Sequence, residues 1–394
     1  MSGIVNWLLL VLAVPAIVTG LYLLLFTLLS ATPPPAQRSS RRLRFDVIVP
    51  AHDEAAVIES VVASLRALDW PAEAFRVIVV ADNCSDATAA LARAAGAQVL
   101  ERQDPTQRGK GHALDFAFRA SLAQAWAYAV VVVDADTEVQ PNLLEAFAAR
   151  IEMGAKAIQA HYGVRNAQAS WRTRLMSIAL AAFHQVRSRG RERLRLSCGL
   201  RGNGWCVTHR VLRQVPYRAF SLAEDIEYGI DLGLAGYRVH YADEARVAAT
   251  MVTGEEASRT QRRRWEDGRR QMLRSRLVPL LKVAARPGGG VCLDLVLDLL
   301  VPPLSYGVLN VAALIVLAGI AMLWDPSQGL WLGVGVACGA SLVLYVLRGW
   351  QLSGVGLRGL VDLLRVPAFV TWKLMLMLRA HDASTWVRTK REKS

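Results

Sequence analysis

The chain has 394 residues, a formal net charge of +13 and a hydrophobic content of 53%. It is too apolar for one ordinary soluble domain and too long for a single core, so soluble and membrane portions are expected together. Cys84, Cys198, Cys206, Cys292 and Cys338 follow no metal-type or disulfide-type spacing, which excludes a disulfide framework and predicts free thiols in a reducing compartment. The arginine excess comes without basic and aromatic repeats and lies largely beside apolar segments. Anionic lipid and phosphorylated ligands are therefore the expected partners, and nucleic acid is not.

No charged residue occurs between Met1 and Gln37, and Leu8 to Leu29 is long enough to cross a bilayer of roughly 30 Å. A cleaved signal peptide would carry a positive leading region and a shorter apolar run, so a retained span is expected. Arg38, Arg41, Arg42 and Arg44 follow at once, which puts that side in the cytoplasm and the N-terminus outside. Pro33-Pro34-Pro35 makes a stiff linker, and residues 1–37 form the first unit. Residues 38–285 form a cytoplasmic domain. Within it, strands over Phe45–Val49, Phe75–Val80 and Tyr128–Val133 alternate with helices over Glu54–Leu68, Thr88–Ala95 and His112–Ala127. Such a βαβ series predicts a mostly parallel sheet covered by helices, with polar clusters gathered at the carboxyl ends of its strands. Beyond residue 165 the chain reads as helical and basic, with a strand near Tyr237–Tyr241.

Residues 286–394 turn apolar again. Val291–Leu300 carries Asp294 and Asp298, costly in lipid, and reads as an interfacial helix. Leu304–Trp324 and Leu330–Leu347 are two more spans, joined by a loop without positive charge. Leu360–Leu378 contains Asp362, Arg365 and Lys373 and is expected to lie in the interface, ahead of a basic cytoplasmic tail. These features predict a multi-pass protein of the inner (cell) membrane.

Several polar clusters can carry chemistry. Asp134 and Asp136 follow an apolar strand; two carboxylates there can hold a hard divalent cation, or simply form a solvated turn. Glu224-Asp225 opens a helix. It can cap that helix or supply a base that takes a proton from a hydroxyl. Gln261-Arg262-Arg263-Arg264-Trp265 offers a guanidinium for phosphate and an indole for a sugar face, within a run that also fits a basic surface helix. Arg108-Gly109-Lys110-Gly111 precedes a helix and can meet phosphate there; its spacing is not that of a P-loop. Gly202 and Asn203 sit in a glycine-rich segment that could line a sugar or form a plain turn. The alternating arginines from Arg187 to Arg195 read as a charged surface, or more sharply as a contact for lipid phosphate.

Taken together, these residues resemble the family 2 inverting glycosyltransferases, in particular the membrane group containing the cellulose and hyaluronan synthases. Pro50-Ala51-His52-Asp53-Glu54 looks like that family's first nucleotide motif, with Asp53 in the usual Asn place. Asp82-Asn83-Cys84-Ser85-Asp86 is similar to its Asp-rich second motif, and Gln261–Trp265 fits Gln-x-x-Arg-Trp without a mismatch. The resemblance implies an α/β GT-A (nucleotide-sugar-binding) domain with N- and C-terminal transmembrane helices. It implies a nucleotide-sugar donor, UDP-linked, bound by Pro50, Ala51, Asp53, Glu54, Asp82, Lys110, Asp134 and Arg264. It further implies a Mg²⁺ or Mn²⁺ ion on Asp134 and Asp136, Asp225 as base with Glu224 beside it, and an acceptor held by Gln261, Trp265, Gly202 and Asn203. The expected acceptor is a lipid or lipid-linked glycan, with membrane lipids around it. Three spans are too few for a self-contained polymer channel, so a polysaccharide synthase working with partner subunits, or as a homo-oligomer, is the alternative. A catalytically inactive scaffold has no need of carboxylates at 134, 136 and 225.

Overall fold

The computed structural model describes residues 2–34, 37–251 and 255–365, the side chains of Ser2 and of residues 255–264 excepted. Helix α1 (Ser2–Leu28) leads in. The soluble part runs β1 (Phe45–Ala51), α2 (Ile58–Arg66), β2 (Phe75–Asp82), α3 (Thr88–Ala94), β3 (Gln98–Arg102), α4 (Lys110–Gln124), β4 (Ala129–Val132), β5 (Thr137–Val139) and α5 (Leu143–Glu152). It continues through β6 (Ala157–Val164), α6 (Trp171–Leu180), a π-helical stretch over Ala181–Val186, α7 (Arg187–Arg193), β7 (Trp205–Thr208), α8 (His209–Gln214), α9 (Glu224–Leu234) and β8 (Val239–Ala249). Then come α10 (Glu255–Ala284), α11 (Gly290–Leu300), α12 (Leu304–Met322), α13 (Gly329–Ser353) and α14 (Gly356–Leu363). The helix expected over Leu360–Leu378 and the basic tail fall mostly beyond residue 365, outside the described residues.

The eight strands lie in the order β3-β2-β1-β4-β7-β6-β8-β5. β-Branched, apolar runs such as Val47-Ile48-Val49 and Val130-Val131-Val132 are fully buried, as strands covered on both faces must be. One core face gathers Val47, Val61, Leu65, Val131 and Phe147; the other gathers Ile48, Leu114, Phe118, Trp205 and Tyr228. The one charged residue inside β1, Asp46, is fully buried, and Arg76 meets it with two hydrogen bonds at 2.8 and 2.9 Å.

The parallel sheet expected of the βαβ series is seen in β1–β4, and the later strands make the whole sheet mixed. β1, β2, β3 and β4 pair in parallel, as do β6 and β8, but β7 runs antiparallel to both β4 and β6, and β5 runs antiparallel to β8. This inversion builds the site. The start of β7 lies beside the end of β4, with the Gly204 N–H donating to the Val132 carbonyl at 3.0 Å. The middle of β6 passes the same edge, where the Ala160 N–H reaches the Gly204 carbonyl at 2.8 Å.

Among the described residues three helices are long and apolar enough to cross a membrane: Gly3–Leu28, Leu304–Met322 and Pro326–Ser353. They pack on one another through Leu9, Ala13, Leu23, Val311, Leu314 and Leu342. Leu8, Val11, Leu21, Leu317 and Leu344 face outward, the pattern lipid rather than water accommodates. One expectation fails here. Arg187, Arg189 and Arg191 are buried rather than displayed on a surface. Asp294 of α11 is buried too, because it meets the Arg191 guanidinium at 2.8 Å.

Candidate active site

Strand ends β1, β2 and β4 share one edge because these strands are parallel and in register, Ala51 opposite Ala81 and Ile48 opposite Val132. The chain leaves each end through a polar turn. Asp53 and Asn83 both take left-handed backbone angles, φ +53° and +52°, which short polar side chains tolerate. The Asp53 carboxylate accepts from the Ser85 N–H at 2.7 Å, and this bond, with the Ser85 hydroxyl, holds its pKa below the ordinary carboxylate range. Asp86 accepts from the Thr88 N–H and the Ala55 N–H. Asp53, Cys84 and Asp86 bring ligand atoms within 4.8 Å of one another. The bonds from Ser85, Ala55 and Thr88 to these carboxylates fasten the β1 loop to the β2 loop. Pro50 and Ala51 end β1, and the Glu54 N–H is held by Thr88 Oγ1 at 2.8 Å. Asp82 is buried, and Arg102 from β3 donates to its Oδ1 at 2.6 Å. Arg102 was not legible in the sequence, since its strand is a half-exposed edge of five residues.

At the end of β4, Asp134 Oδ1 lies 2.6 Å from Lys110 Nζ. Lys110 is the first residue of α4. It also donates to the Gly202 carbonyl at 2.5 Å and stands 3.4 Å from Glu224 Oε1. Burial works against its charge, but Asp134 and Glu224 outweigh it and hold the ammonium well above its usual range. Gly111 is required beside it, because a Cβ there would lie 2.2 Å from the Ala219 carbonyl oxygen. Asn203 is fully buried. Its side chain accepts from the Asp134 N–H at 3.1 Å and donates to Thr137 Oγ1 at 2.6 Å, so it holds the Asp134 turn in place.

Glu224 and Asp225 begin α9, where the helix N-terminus favours negative charge. Desolvation pushes Glu224 up to about 7, against the pull of Lys110 and with help from Asp225. Asp225 is raised for the same first reason, with Lys110 again opposing. Asp225 Oδ2 points at the bare Cα of Gly202: a Cβ built there would stand 3.5 Å from it, and φ of +80° suits glycine. Tyr162, at the end of β6, was missed by the sequence reading. It is kept protonated first by burial and then by Asp134 and Asp136, with Asn203 and Asp225 also within its reach.

Helix α10 packs against this corner. Gly268 approaches Ala223, where an added Cβ would meet the Ala223 Cβ at 2.7 Å. Arg276 of the same helix binds Glu227 at 2.8 Å and Asp231 at 3.0 Å. Trp265 is exposed on α10. The side chains of Gln261 and Arg264 lie outside the described residues. The structure thus brings together Lys110, Asp134, Asp136, Gly202, Asn203, Glu224 and Asp225. Four carboxylates surround Lys110 and Tyr162. An oxygen-rich set with excess negative charge fits a hard divalent cation.

Comparison with known proteins gives the family and the fold. The chain is 30% identical over 237 residues to a beta-monoglucosyldiacylglycerol synthase of Synechocystis sp., covering 56% of this chain and 47% of that protein. It is 23% identical over 257 residues to the probable glycosyltransferase YdaM of Bacillus subtilis, covering 61% of this chain and 58% of that one. The chain thus spans about half the length of these curated relatives. The mannosyltransferase PcManGT of Pyrobaculum calidifontis, solved with GDP-Man and Mn²⁺, superposes with a TM-score of 0.54 at 17% identity, covering 84% of this chain and 98% of that chain. That likeness shows the fold, a GT-A-like α/β architecture with a curled sheet. The family model described as glycosyltransferase like family 2 matches residues 43–268, more than half of the chain, and the protein belongs to that family.

Proposed function

We propose that the protein is a membrane-anchored, inverting hexosyltransferase, akin to the membrane group of cellulose and hyaluronan synthases. In this reading it moves a sugar from a UDP-sugar to a lipid or lipid-linked glycan at the cytoplasmic face of the inner membrane. The observation that carries the reading is a division of labour between adjacent carboxylates. Lys110 engages Glu224 and Asp134, while Asp225 Oδ2 faces the open side of Gly202. The acceptor hydroxyl sits at that opening and gives its proton to Asp225 as its oxygen bonds the anomeric carbon. The bond from that carbon to the diphosphate breaks on the opposite side. Asp134 and Asp136 would hold a divalent cation, which when bound neutralises charge on the leaving diphosphate. Lys110 keeps Asp134 and Glu224 in place, and Arg264 is assigned to the departing diphosphate by its match to the Gln-x-x-Arg-Trp string. The turns at Pro50–Glu54 and Asp82 take the nucleoside.

A lipid acceptor is supported by the three apolar helices and by the similarity to a relative named for a glucosyldiacylglycerol product. An active site held at the bilayer gains effective concentration for such substrates. The test is transfer by the full chain in lipid micelles with a panel of nucleotide-sugars, read by mass spectrometry. A UDP-sugar is expected to be consumed with formation of a glycolipid. The activity should vanish in excess EDTA and return with Mn²⁺ or Mg²⁺. No transfer from any donor overturns the proposal; a polymer ladder in place of single additions moves it to the processive synthases.

A further inference from the structure

The buried arginines of α7 are not all matched. Arg189 has a full partner: its Nε and Nη2 meet the two oxygens of Asp243 at 2.8 and 2.7 Å. Arg187, Arg191 and Arg201 instead converge on two carboxylates of α11. Asp298 receives Arg191 at 2.7 Å and Arg187 at 2.9 Å, and Asp294 receives Arg191 at 2.8 Å. Arg201 is left 3.7 Å from Asp298, beyond hydrogen-bond reach. Arg269 brings a fourth positive charge, donating to the carbonyls of Asp298, Leu299 and Val301. Tyr22 and Tyr345 accept bonds from Arg191 and Arg187, yet as phenols they cancel no charge.

The deficit is localised. Among the described residues, Arg201 Nε, Arg201 Nη2 and Arg191 Nη1 are buried donors without a hydrogen-bond partner. Nε and Nη2 together form one edge of the guanidinium, the edge that grips two oxygens of a phosphate or carboxylate at once. Arg201 is 7% exposed, so water is largely withheld from it, and an unmatched charge in that setting is costly. Phe183 lies 4.3 Å from its Cζ, which eases the cost but supplies no acceptor.

Its position is equally specific. Arg201 adjoins Gly202, whose open side faces Asp225. Asp298, 3.7 Å from Arg201, also holds Arg187 and Arg191, which bond Tyr345 of α13 and Tyr22 of α1 in the apolar cluster of the candidate spans. Arg201 is thus linked through Asp298 to the membrane-side helices and through Gly202 to the base.

We propose that Arg201, backed by Arg191, receives a phosphate of the acceptor, so that the preferred acceptors are phosphate-bearing lipids rather than neutral diacylglycerols. This rests on the transferase reading given above. It extends that reading by naming the acceptor's chemical class.

Two measurements test it. The first uses the unaltered full chain in micelles and follows its melting temperature with phosphatidic acid, polyprenyl phosphate, diacylglycerol or inorganic phosphate, at one ionic strength. The phosphate-bearing lipids should raise the melting temperature, and diacylglycerol should not. Inorganic phosphate acting as strongly as the lipids overturns the lipid assignment. No shift with any of them means that the unmatched N–H groups are simply hydrated, and the inference fails. The second is transfer kinetics with Arg201→Gln and Arg201→Lys. The acceptor KM should rise at least about tenfold in Arg201→Gln, the weight of a charge-assisted pair, with partial recovery in Arg201→Lys. Equal KM values for phosphorylated and neutral lipids in the unaltered protein overturn the inference while leaving the transferase reading intact. Absence of any donor turnover sinks that reading instead, and the melting shifts still decide whether a phosphate site exists.

Discussion

Asp225 and Glu224 are neighbours in sequence with different partners: Lys110 stands 3.4 Å from Glu224, whereas Asp225 Oδ2 faces Gly202, and two predictions follow. Asp225→Asn keeps size and shape but removes basicity; transfer is expected to fall by about 10²- to 10⁴-fold while calorimetric binding of UDP with Mn²⁺ stays near wild type. Wild-type turnover in this variant would place the base elsewhere. The second concerns pH. Glu224 is raised from an ordinary 4.5 to about 7, and Asp225 is raised with it. The pair titrates as a unit, so the acid limb of kcat/KM should lie near neutrality rather than in the ordinary carboxylate range. The same shift has a sign for stability. The folded chain binds this proton more tightly than the unfolded one, so stability should decline as pH climbs from about 4.5 to 7. Glu224→Gln should flatten the decline in melting temperature. At this scale the sequence was informative where a carboxylate follows an apolar strand or opens a helix, as at Asp134 and Asp225. It was silent on Arg102, Tyr162 and Arg201, whose roles depend on partners 20 to 97 positions away.

Between elements, the same distinction separates what the sequence disclosed from what it hid. The apolar, β-branched strands β1, β2 and β4 were legible from composition. β5 and β7, with three and four residues, were not, because only long-range pairing makes them strands. The alternating arginines of α7 misled for a related reason: a helix rich in charge looks solvated until its partner is known. A signal was nonetheless present. Arg187 and Arg191 are four apart, as are Asp294 and Asp298, so each pair lies on one helix face, and the two faces meet. Ion pairs of this buried kind carry different weight from surface ones. Asp243→Ala strands Arg189, with side chains only 9% and 6% exposed in the native pair, and should cost about 3–5 kcal/mol. Glu101→Ala breaks its pair with Arg93, where both side chains are half exposed, and should cost at most about 1 kcal/mol. Melting temperatures of the two variants compare them directly; equal shifts would show that the α7–β8 pair is hydrated in the folded protein.

For the whole molecule, the bundle fixes which helix ends share a side. Trp331, near the start of α13, donates to Asn6 near the start of α1 at 3.2 Å. At the other ends, Arg348 of α13 donates to Ser30, just after α1, at 2.8 Å. The two helices therefore run the same way, and α12 returns between them, its Asn310 bonding the Leu12 carbonyl at 2.9 Å. Arg189 of α7 also reaches the Ser30 carbonyl, so the soluble domain joins the bundle at the end where α1 and α13 finish. Arg38, Arg41, Arg42, Arg44, Arg348 and Arg358 all follow or lie near that end, whereas the loop from Asp325 to Gly329 at the opposite end carries no positive charge. By the positive-inside rule, the orientation proposed above is the one expected of this charge distribution. Ser327→Cys and Ser40→Cys provide the check, since both positions are exposed and Cys198, Cys206, Cys292 and Cys338 are buried. In intact cells an impermeant maleimide should label position 327 and should reach position 40 only after permeabilisation. Labelling of position 40 in intact cells would invert the topology and move the nucleotide-sugar site away from the compartment that holds its donor.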